Sequence, residues 1–155
     1  MPPTTQDVDA EAAQVLGEPS SLGDTNTWTN LSTFRDSGGK LLLYHGVSDP
    51  WFSSLDTVEY YEKLATASGG LEATRDWSRL FLVPGMGHCG GGSTLDQFDL
   101  LSAVVDWVEH DRAPNSIVAT GAAFPGRSRP LCPHPQHTAY KGSGNPEDAA
   151  NFDCR

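Results

Sequence analysis

Short apolar runs alternate with longer amphipathic segments through the middle of the chain. The runs at 41–44 and 80–83 lack period-two alternation, which is typical of strands buried on both faces of a parallel sheet. The segments at 54–67 and 95–110 place apolar residues three or four positions apart, which predicts helices. The order strand, helix, strand, helix predicts an α/β fold with parallel strand pairing.

Both predicted helices carry boundary signals and an apolar stripe. Gly69-Gly70 is expected to end the first helix, and Ser93 or Thr94 to cap the second. The stripes predicted to be buried are Leu55, Val58, Tyr61, Leu64 and Ala65 in the first helix and Leu95, Phe98, Leu101, Val105 and Val108 in the second. A helical turn is also expected at 31–36, before Gly38-Gly39.

Composition divides the 155 residues into three segments. Residues 1–30 are polar and are expected to be irregular, with at most a short helix at 10–16. Residues 31–112 hold the strand and helix pattern, and residues 113–155 form a tail rich in Pro, Gly and Asn. Two strands and two helices are too few for a stable parallel sheet, so we expect further strands from outside this chain.

The charge and hydropathy of the chain exclude some classes of partner. The formal net charge is −10, and no cluster of Lys and Arg is present, which argues against nucleic acid and anionic membranes as partners. No apolar run approaches the length needed to span a bilayer, and the N-terminal residues lack the pattern of a secretion signal.

The three cysteines form an uneven set. Cys132 and Cys154 bracket the tail, where a disulfide could contribute about 3 kcal/mol by closing the loop. Cys89 is then left over, which suggests a partner outside this chain or a reactive thiol. With His134 and His137, the two tail cysteines could instead bind zinc, but the spacing matches no standard zinc signature. We therefore favour the disulfide and predict no metal site.

An aspartate and a histidine follow the two predicted strands in that order. Asp49 comes shortly after the first strand, and His88 shortly after the second. Because the carboxyl ends of parallel strands meet at one edge of a sheet, we expect the two side chains to meet there. Taken singly, Asp49 is typical of a turn and His88 of a polar surface loop. Together they match the acid and base of a hydrolase triad.

Other features near this pair leave alternatives open. No Gly-x-Ser-x-Gly nucleophile elbow occurs in the sequence. The run Gly90-Gly91-Gly92 precedes a predicted helix, but the lysine and full fingerprint of a phosphate site are missing. Trp51 and Phe52 directly follow Asp49-Pro50, and they either line an aromatic substrate pocket or anchor the loop in the core.

Motifs spread from about residue 30 to the end carry a family resemblance. They include Tyr44-His45-Gly46, Ser48-Asp49-Pro50, Val83-Pro84-Gly85-Met86-Gly87-His88-Cys89-Gly90-Gly91, Asp106-Trp107-Val108-Glu109, Arg129-Pro130-Leu131-Cys132-Pro133, Tyr140-Lys141-Gly142-Ser143-Gly144 and Phe152-Asp153-Cys154. These motifs resemble the tannase and feruloyl esterase family of α/β-hydrolases. The resemblance implies that the chain is the C-terminal part of an α/β-hydrolase fold with a disulfide-strapped tail.

The resemblance also implies roles for individual residues. Asp49 would be the triad acid and His88 the general base. Cys89 would form a disulfide with a cysteine beside a nucleophilic serine outside this chain, and Cys132 would pair with Cys154. The family's serine elbow, oxyanion hole and lid domain, in which calcium binds, are not found in this sequence. No cofactor is therefore expected here.

The implied activity is that of a secreted or periplasmic serine carboxylesterase acting on feruloyl, galloyl or terephthaloyl esters. The expected partners are a small aromatic ester and the missing N-terminal part of the same enzyme, without which the isolated chain is expected to be inactive. A non-catalytic binding or interaction fragment of the same scaffold is the alternative.

Overall fold

The structure, a computed structural model, describes residues 28–155 together with residues 7, 9–10 and 13–14. The predicted irregular segment 1–30 lies largely outside these residues. Of the predicted short helix at 10–16, Ala10, Ala13 and Gln14 are helical, and its other positions are outside the described residues. No helix in the described part of the chain is long and apolar enough to cross a membrane.

Short helices and strands follow one another along the described chain. In order they are α1 (Ser32–Asp36), β1 (Leu41–Gly46), α2 (Ser54–Ala67), α3 (Leu71–Arg75), β2 (Ser78–Val83), α4 (Leu100–His110), β3 (Ile117–Ala119), β4 (Arg129–Leu131), β5 (Thr138–Tyr140), a 3-10 turn (Ala149–Asn151) and β6 (Phe152–Cys154). The expected helical turn at 31–36 corresponds to α1.

The parallel strand pair predicted from the apolar runs is present. β1 pairs with β2 in a register that runs from Leu41 opposite Ser78 to Gly46 opposite Val83. No further strand pairs with β1 among the described residues. β1 is also less buried than predicted, since Leu41–Leu43 are half-buried and Tyr44 is exposed. The prediction of full burial on both faces is therefore wrong for β1.

Side chains that alternate along the two strands pack against helices on opposite faces of the pair. On one face, α2 contributes to a core of Tyr61, Leu64, Trp77 and Leu80, with Leu41, Leu43 and Leu82 against it. On the other face, α4 packs against a core of Phe81, Val83, Met86, Ile117, Ala119 and Leu131, with Leu42, Phe98, Leu100 and Ala103 against it. The result is a small α/β arrangement of three layers.

The first predicted helix has the predicted bounds. The Ser53 hydroxyl accepts a hydrogen bond from the backbone N–H of Leu55 and caps the N-terminus of α2. After the C-terminus, Gly69 and Gly70 have positive φ, as expected for a glycine stop. Tyr61 and Leu64 are buried as predicted, whereas Leu55 is exposed because the helix first meets the core one turn later, at Val58.

The second predicted helix starts later than expected. α4 begins at Leu100, and its cap is Asp99, whose carboxylate accepts from the N–H of Ser102. The cause is a long-range pairing: Gln97 and Thr120 exchange two backbone hydrogen bonds of 2.8 and 2.9 Å, which holds the preceding residues extended. Ser93 and Thr94 are therefore not caps.

The apolar stripe predicted for this helix is also wrong in part. Leu101, Val105 and Val108 are exposed, and Trp107 is instead the buried residue of α4. The Lys40 ammonium and the Arg79 guanidinium both lie over the Trp107 ring, 5.1 and 4.9 Å from the ring centroid. α4 therefore faces the strand pair with its Trp107 side, and the two cations add attraction to that ring.

The tail is more regular than its composition predicts. β3 pairs with β4, and β5 with β6, both antiparallel. Cys132 and Cys154 form the predicted disulfide, with Cα atoms 5.5 Å apart. The zinc alternative is thereby left without its two thiolates. Pro133 pairs with Phe81, and the His134 N–H donates to the Leu80 carbonyl at 2.7 Å, so the tail lies along the outer edge of β2.

Candidate active site

Asp49 lies in the tight turn that follows β1. One carboxylate oxygen, Oδ1, accepts the backbone N–H groups of Trp51 at 2.9 Å and Phe52 at 3.1 Å. This is the local pairing that makes Asp a common turn residue. Because Oδ1 already accepts these two hydrogen bonds, the second oxygen, Oδ2, is the one that faces the neighbouring loop.

His88 lies in a loop that folds back on itself after β2. The Gly87 N–H donates to the Gly91 carbonyl at 3.0 Å, and the Thr94 hydroxyl donates to the Pro84 carbonyl at 2.7 Å. Gly92 has φ +99°, and a Cβ there would clash with the carbonyl oxygen of Gly85. Only glycine fits this close approach, which accounts for part of the glycine-rich sequence.

The two loops bring Asp49 and His88 together. Oδ2 of Asp49 lies 2.8 Å from Nδ1 of His88, which confirms the predicted contact at one edge of the strand pair. Burial of the carboxylate opposes its ionisation, but hydrogen bonds from His88, Trp51 and Phe52 outweigh that effect and lower the Asp49 pKa from 3.8 to about 2.

The ionised carboxylate determines which nitrogen of His88 carries the proton. A carboxylate only accepts hydrogen bonds, so Nδ1 of His88 must be the donor. The neutral ring then has an unprotonated Nε2, which has no hydrogen-bond partner among the described residues. The His88 side chain is 35% exposed. The pair can therefore accept a proton from an incoming group and stabilise the resulting imidazolium.

Trp51 and Phe52 flank the histidine. Their rings lie 4.9 and 5.5 Å from the His88 ring, centroid to centroid, and both side chains are exposed. This exposure contradicts the core-anchor interpretation. Phe52, His88 and Tyr44 line a cleft of about 750 Å³. A second cleft of about 670 Å³, between β2 and the tail, contains neither Asp49 nor His88. A substrate-binding role for Trp51 and Phe52 stays a prediction.

Cys89 lies on the same cleft with a free, exposed thiol. Its backbone has φ +61°, an uncommon conformation for a residue with a side chain. The predicted pairing with a cysteine outside this chain stays a prediction. Within the described residues, no group of three or more His, Cys, Asp or Glu side chains is placed to hold a metal ion.

The sequence interpretation missed one residue of the site. His45 is the penultimate residue of β1, and its Nε2 lies 3.5 Å from Oδ2 of Asp49. Its position in the sequence, four residues before Asp49, does not by itself indicate that its ring is directed toward that carboxylate.

The fold and the site together define an α/β protein with a hydrogen-bonded Asp–His pair at the carboxyl ends of two parallel strands. The family model for tannase and feruloyl esterase matches residues 4–155. The chain belongs to the tannase and feruloyl esterase family.

Named relatives and a solved structure agree with this assignment. The chain is 52% identical over 134 residues to mono(2-hydroxyethyl) terephthalate hydrolase of Piscinibacter sakaiensis, covering 83% of this chain and 22% of the relative. It is 37% identical over 145 residues to a probable feruloyl esterase B of Aspergillus niger, covering 81% of this chain and 27% of the relative.

The solved structure is that of an esterase from Aspergillus oryzae. It matches with a TM-score of 0.70 and 33% identity, over 82% of this chain and 29% of that one. The chain thus spans less than a third of the length of each of these relatives.

Proposed function

We propose that this chain supplies the acid and the base of a serine carboxylesterase that hydrolyses esters of aromatic carboxylic acids. The observation that carries the proposal is the 2.8 Å hydrogen bond between Asp49 and His88, which leaves Nε2 of His88 open toward a cleft. Membership of the tannase and feruloyl esterase family supports the same reaction class. The α/β-hydrolase fold is part of this proposal.

In this mechanism His88 moves the protons. Nε2 of His88 takes the proton of a serine hydroxyl as the serine oxygen attacks the ester carbonyl carbon. The imidazolium then gives that proton to the departing alcohol, which leaves an acyl-enzyme. His88 next takes a proton from water as the hydroxide oxygen attacks the acyl carbon, and returns it to the serine as the acid leaves. Asp49 stabilises the imidazolium in both the acylation and the deacylation steps.

The nucleophilic serine in this proposal comes from outside these 155 residues. The sequence has no nucleophile elbow, and Nε2 of His88 meets no hydroxyl among the described residues. Cys89, exposed beside His88, would form a disulfide with a cysteine next to that serine and so tie the two loops together. The Cys132–Cys154 disulfide supports an oxidising compartment, so we propose a secreted or periplasmic enzyme.

The proposed substrates are feruloyl, galloyl or terephthaloyl esters. Trp51 and Phe52 present exposed aromatic rings within 5.5 Å of the His88 ring, where an aromatic acyl group could stack. Two relatives are named for a terephthalate monoester and for feruloyl esters. We infer that the acyl group of the substrate lies against these rings.

A hybrid enzyme tests the proposal. The matching segment of the Piscinibacter sakaiensis relative is replaced by this chain, and hydrolysis of methyl ferulate, methyl gallate and mono(2-hydroxyethyl) terephthalate is compared with that of methyl acetate. We expect the hybrid to favour at least one aromatic ester and the isolated chain to show no turnover. The exposed His110, on the far end of α4, provides a control variant, His110→Ala, that should keep full activity. A folded hybrid inactive on every aromatic ester would refute the proposal.

A further inference from the structure

One nearly buried histidine of the site has no part in the proton transfers described above. His45 is the penultimate residue of β1, next to Gly46, and its side chain is 14% exposed. Its ring is directed into the turn that holds Asp49, between that turn and the first turns of α2. A polar ring placed there needs partners for both nitrogens.

Both ring nitrogens of His45 have partners. Nδ1 lies 2.7 Å from the hydroxyl oxygen of Thr57, and Nε2 lies 3.2 Å from the backbone carbonyl oxygen of Phe52. A carbonyl oxygen only accepts, so Nε2 must carry the proton. In the neutral ring Nδ1 is then the acceptor, and the Thr57 hydroxyl donates to it. The two partners together select one tautomer of His45.

The same N–H also faces the catalytic carboxylate. Nε2 of His45 is 3.5 Å from Oδ2 of Asp49, longer than an ordinary hydrogen bond but close enough for its partial positive charge to favour the anion. That oxygen is the one that accepts from His88. The Asp49 side chain is only 5% exposed, so few water molecules compete with these protein donors.

We propose that His45 is a positioning residue for the acid–base pair. Held by Thr57, it clamps the carbonyl of Phe52 and the carboxylate of Asp49 with one N–H, and so keeps Oδ2 aimed at Nδ1 of His88. The effect on turnover rests on the proposed esterase function. The effect on the Asp49–His88 hydrogen bond does not.

NMR of the imidazole nitrogens in the 155-residue chain tests the proposal without any need for turnover. In the wild type, His45 should be the Nε2–H tautomer and His88 the Nδ1–H tautomer, with a deshielded, slowly exchanging Nδ1 proton. His45→Leu removes the N–H, so this His88 signal should be lost and the Asp49 pKa should rise. His45→Gln places an amide N–H near the position of Nε2 and should retain the signal.

Two threonine variants keep the test decisive if His45→Leu does not fold. Thr57→Val removes only the hydroxyl that holds the ring and should weaken the His88 signal. Thr66→Val is the matched control on the same helix, because its hydroxyl donates to the Glu62 carbonyl away from the site. An unchanged His88 signal in Thr57→Val and in a folded His45→Leu variant, or an Nδ1–H tautomer for wild-type His45, would overturn the proposal.

The kinetic part is measured in the hybrid enzyme. His45→Leu should lower kcat about tenfold with little change in KM, and His45→Gln should recover most of the loss, because an orienting group acts mainly on the transition state. A tenfold rise in KM at constant kcat would instead indicate a substrate contact and contradict the positioning role. If the hybrid has no activity, the esterase proposal fails, while the NMR result still decides the role of His45.

Discussion

Replacing Gly46 by alanine should move Asp49 and His88 apart. Gly46 is the last residue of β1, and its backbone passes directly over the loop that carries His88. A Cβ at this position would clash with the carbonyl oxygen of Gly87 and lie 2.5 Å from that of Met86. Both are backbone atoms, which cannot move aside as a flexible side chain can.

The size of the effect follows from these contacts. An ordinary Cβ contact begins at 3.4 Å, so the loop must move by about 0.9 Å. A shift of this size along the line that joins Asp49 to His88 would stretch their 2.8 Å bond to about 3.7 Å, beyond hydrogen-bond range. It would also strain the bond of 2.9 Å from the Ser48 N–H to the Met86 carbonyl. We expect a loss of about 2 kcal/mol in the free energy of unfolding.

Urea unfolding and NMR measure the two consequences separately. Gly46→Ala should lower the unfolding midpoint and abolish the deshielded Nδ1 proton of His88. Gly87→Ala is the matched control in the same region, because its Cβ would lie 3.3 Å from the nearest atom and needs only a small adjustment. If Gly46→Ala keeps both the stability and the His88 signal of the wild type, the loops are not held at this distance by backbone contact, and the reasoning is wrong.

Two further predictions concern the carboxylate and the tail. The Asp49 pKa is about 2 in the folded chain against 3.8 ordinarily, so its ionisation stabilises the fold above pH 3.8, and that stabilisation is lost as the pH falls toward 2. Urea unfolding at several pH values measures the difference in the free energy of unfolding between wild type and Asp49→Asn. This difference should therefore shrink over this range. A constant difference would contradict the lowered pKa of Asp49. Replacing both Cys132 and Cys154 by serine removes a disulfide of sequence separation 22. The free energy of unfolding, measured in urea, should fall by about 3 kcal/mol. An unchanged free energy of unfolding would show that packing alone holds the tail.

The parts of the fold that were predictable depend on neighbours in sequence. The bounds of α2 follow from the Ser53 cap, the spacing of its apolar residues and the glycines after it. The parallel pairing of β1 and β2 follows from the alternation of strands and helices. These signals are local, so a single sequence carries them.

The parts that were missed depend on contacts between distant residues. The start of α4 is set by Gln97 pairing with Thr120, 23 positions away, and no periodicity in residues 95–99 records that pairing. Leu101 is exposed because α4 faces the strand pair with Trp107, whose ring contacts Lys40 and Arg79, residues far from it in sequence. The short strands of the tail form for a similar reason, because β3 pairs with β4 and β5 with β6, while Pro133 of the tail pairs with Phe81 at the edge of β2.

The candidate site was predicted at the level of residues but not of its supporting contacts. Asp49 and His88 stand out because each follows an apolar run, and parallel pairing then implies that they meet. His45 was missed because nothing in its neighbourhood distinguishes a ring directed into the turn from one directed into solvent. Its partner Thr57 lies on the next helix, and only the folded chain brings the two together.

The most direct test of the account is hydrolysis of an aromatic ester by the hybrid enzyme with His88→Ala. If His88 is the general base, kcat/KM should fall at least 1,000-fold, about the loss expected when a triad member is removed, while the unfolding midpoint stays close to that of the unsubstituted hybrid. Turnover equal to that of the unsubstituted hybrid would show that His88 does not move the protons, and the proposed mechanism would be wrong.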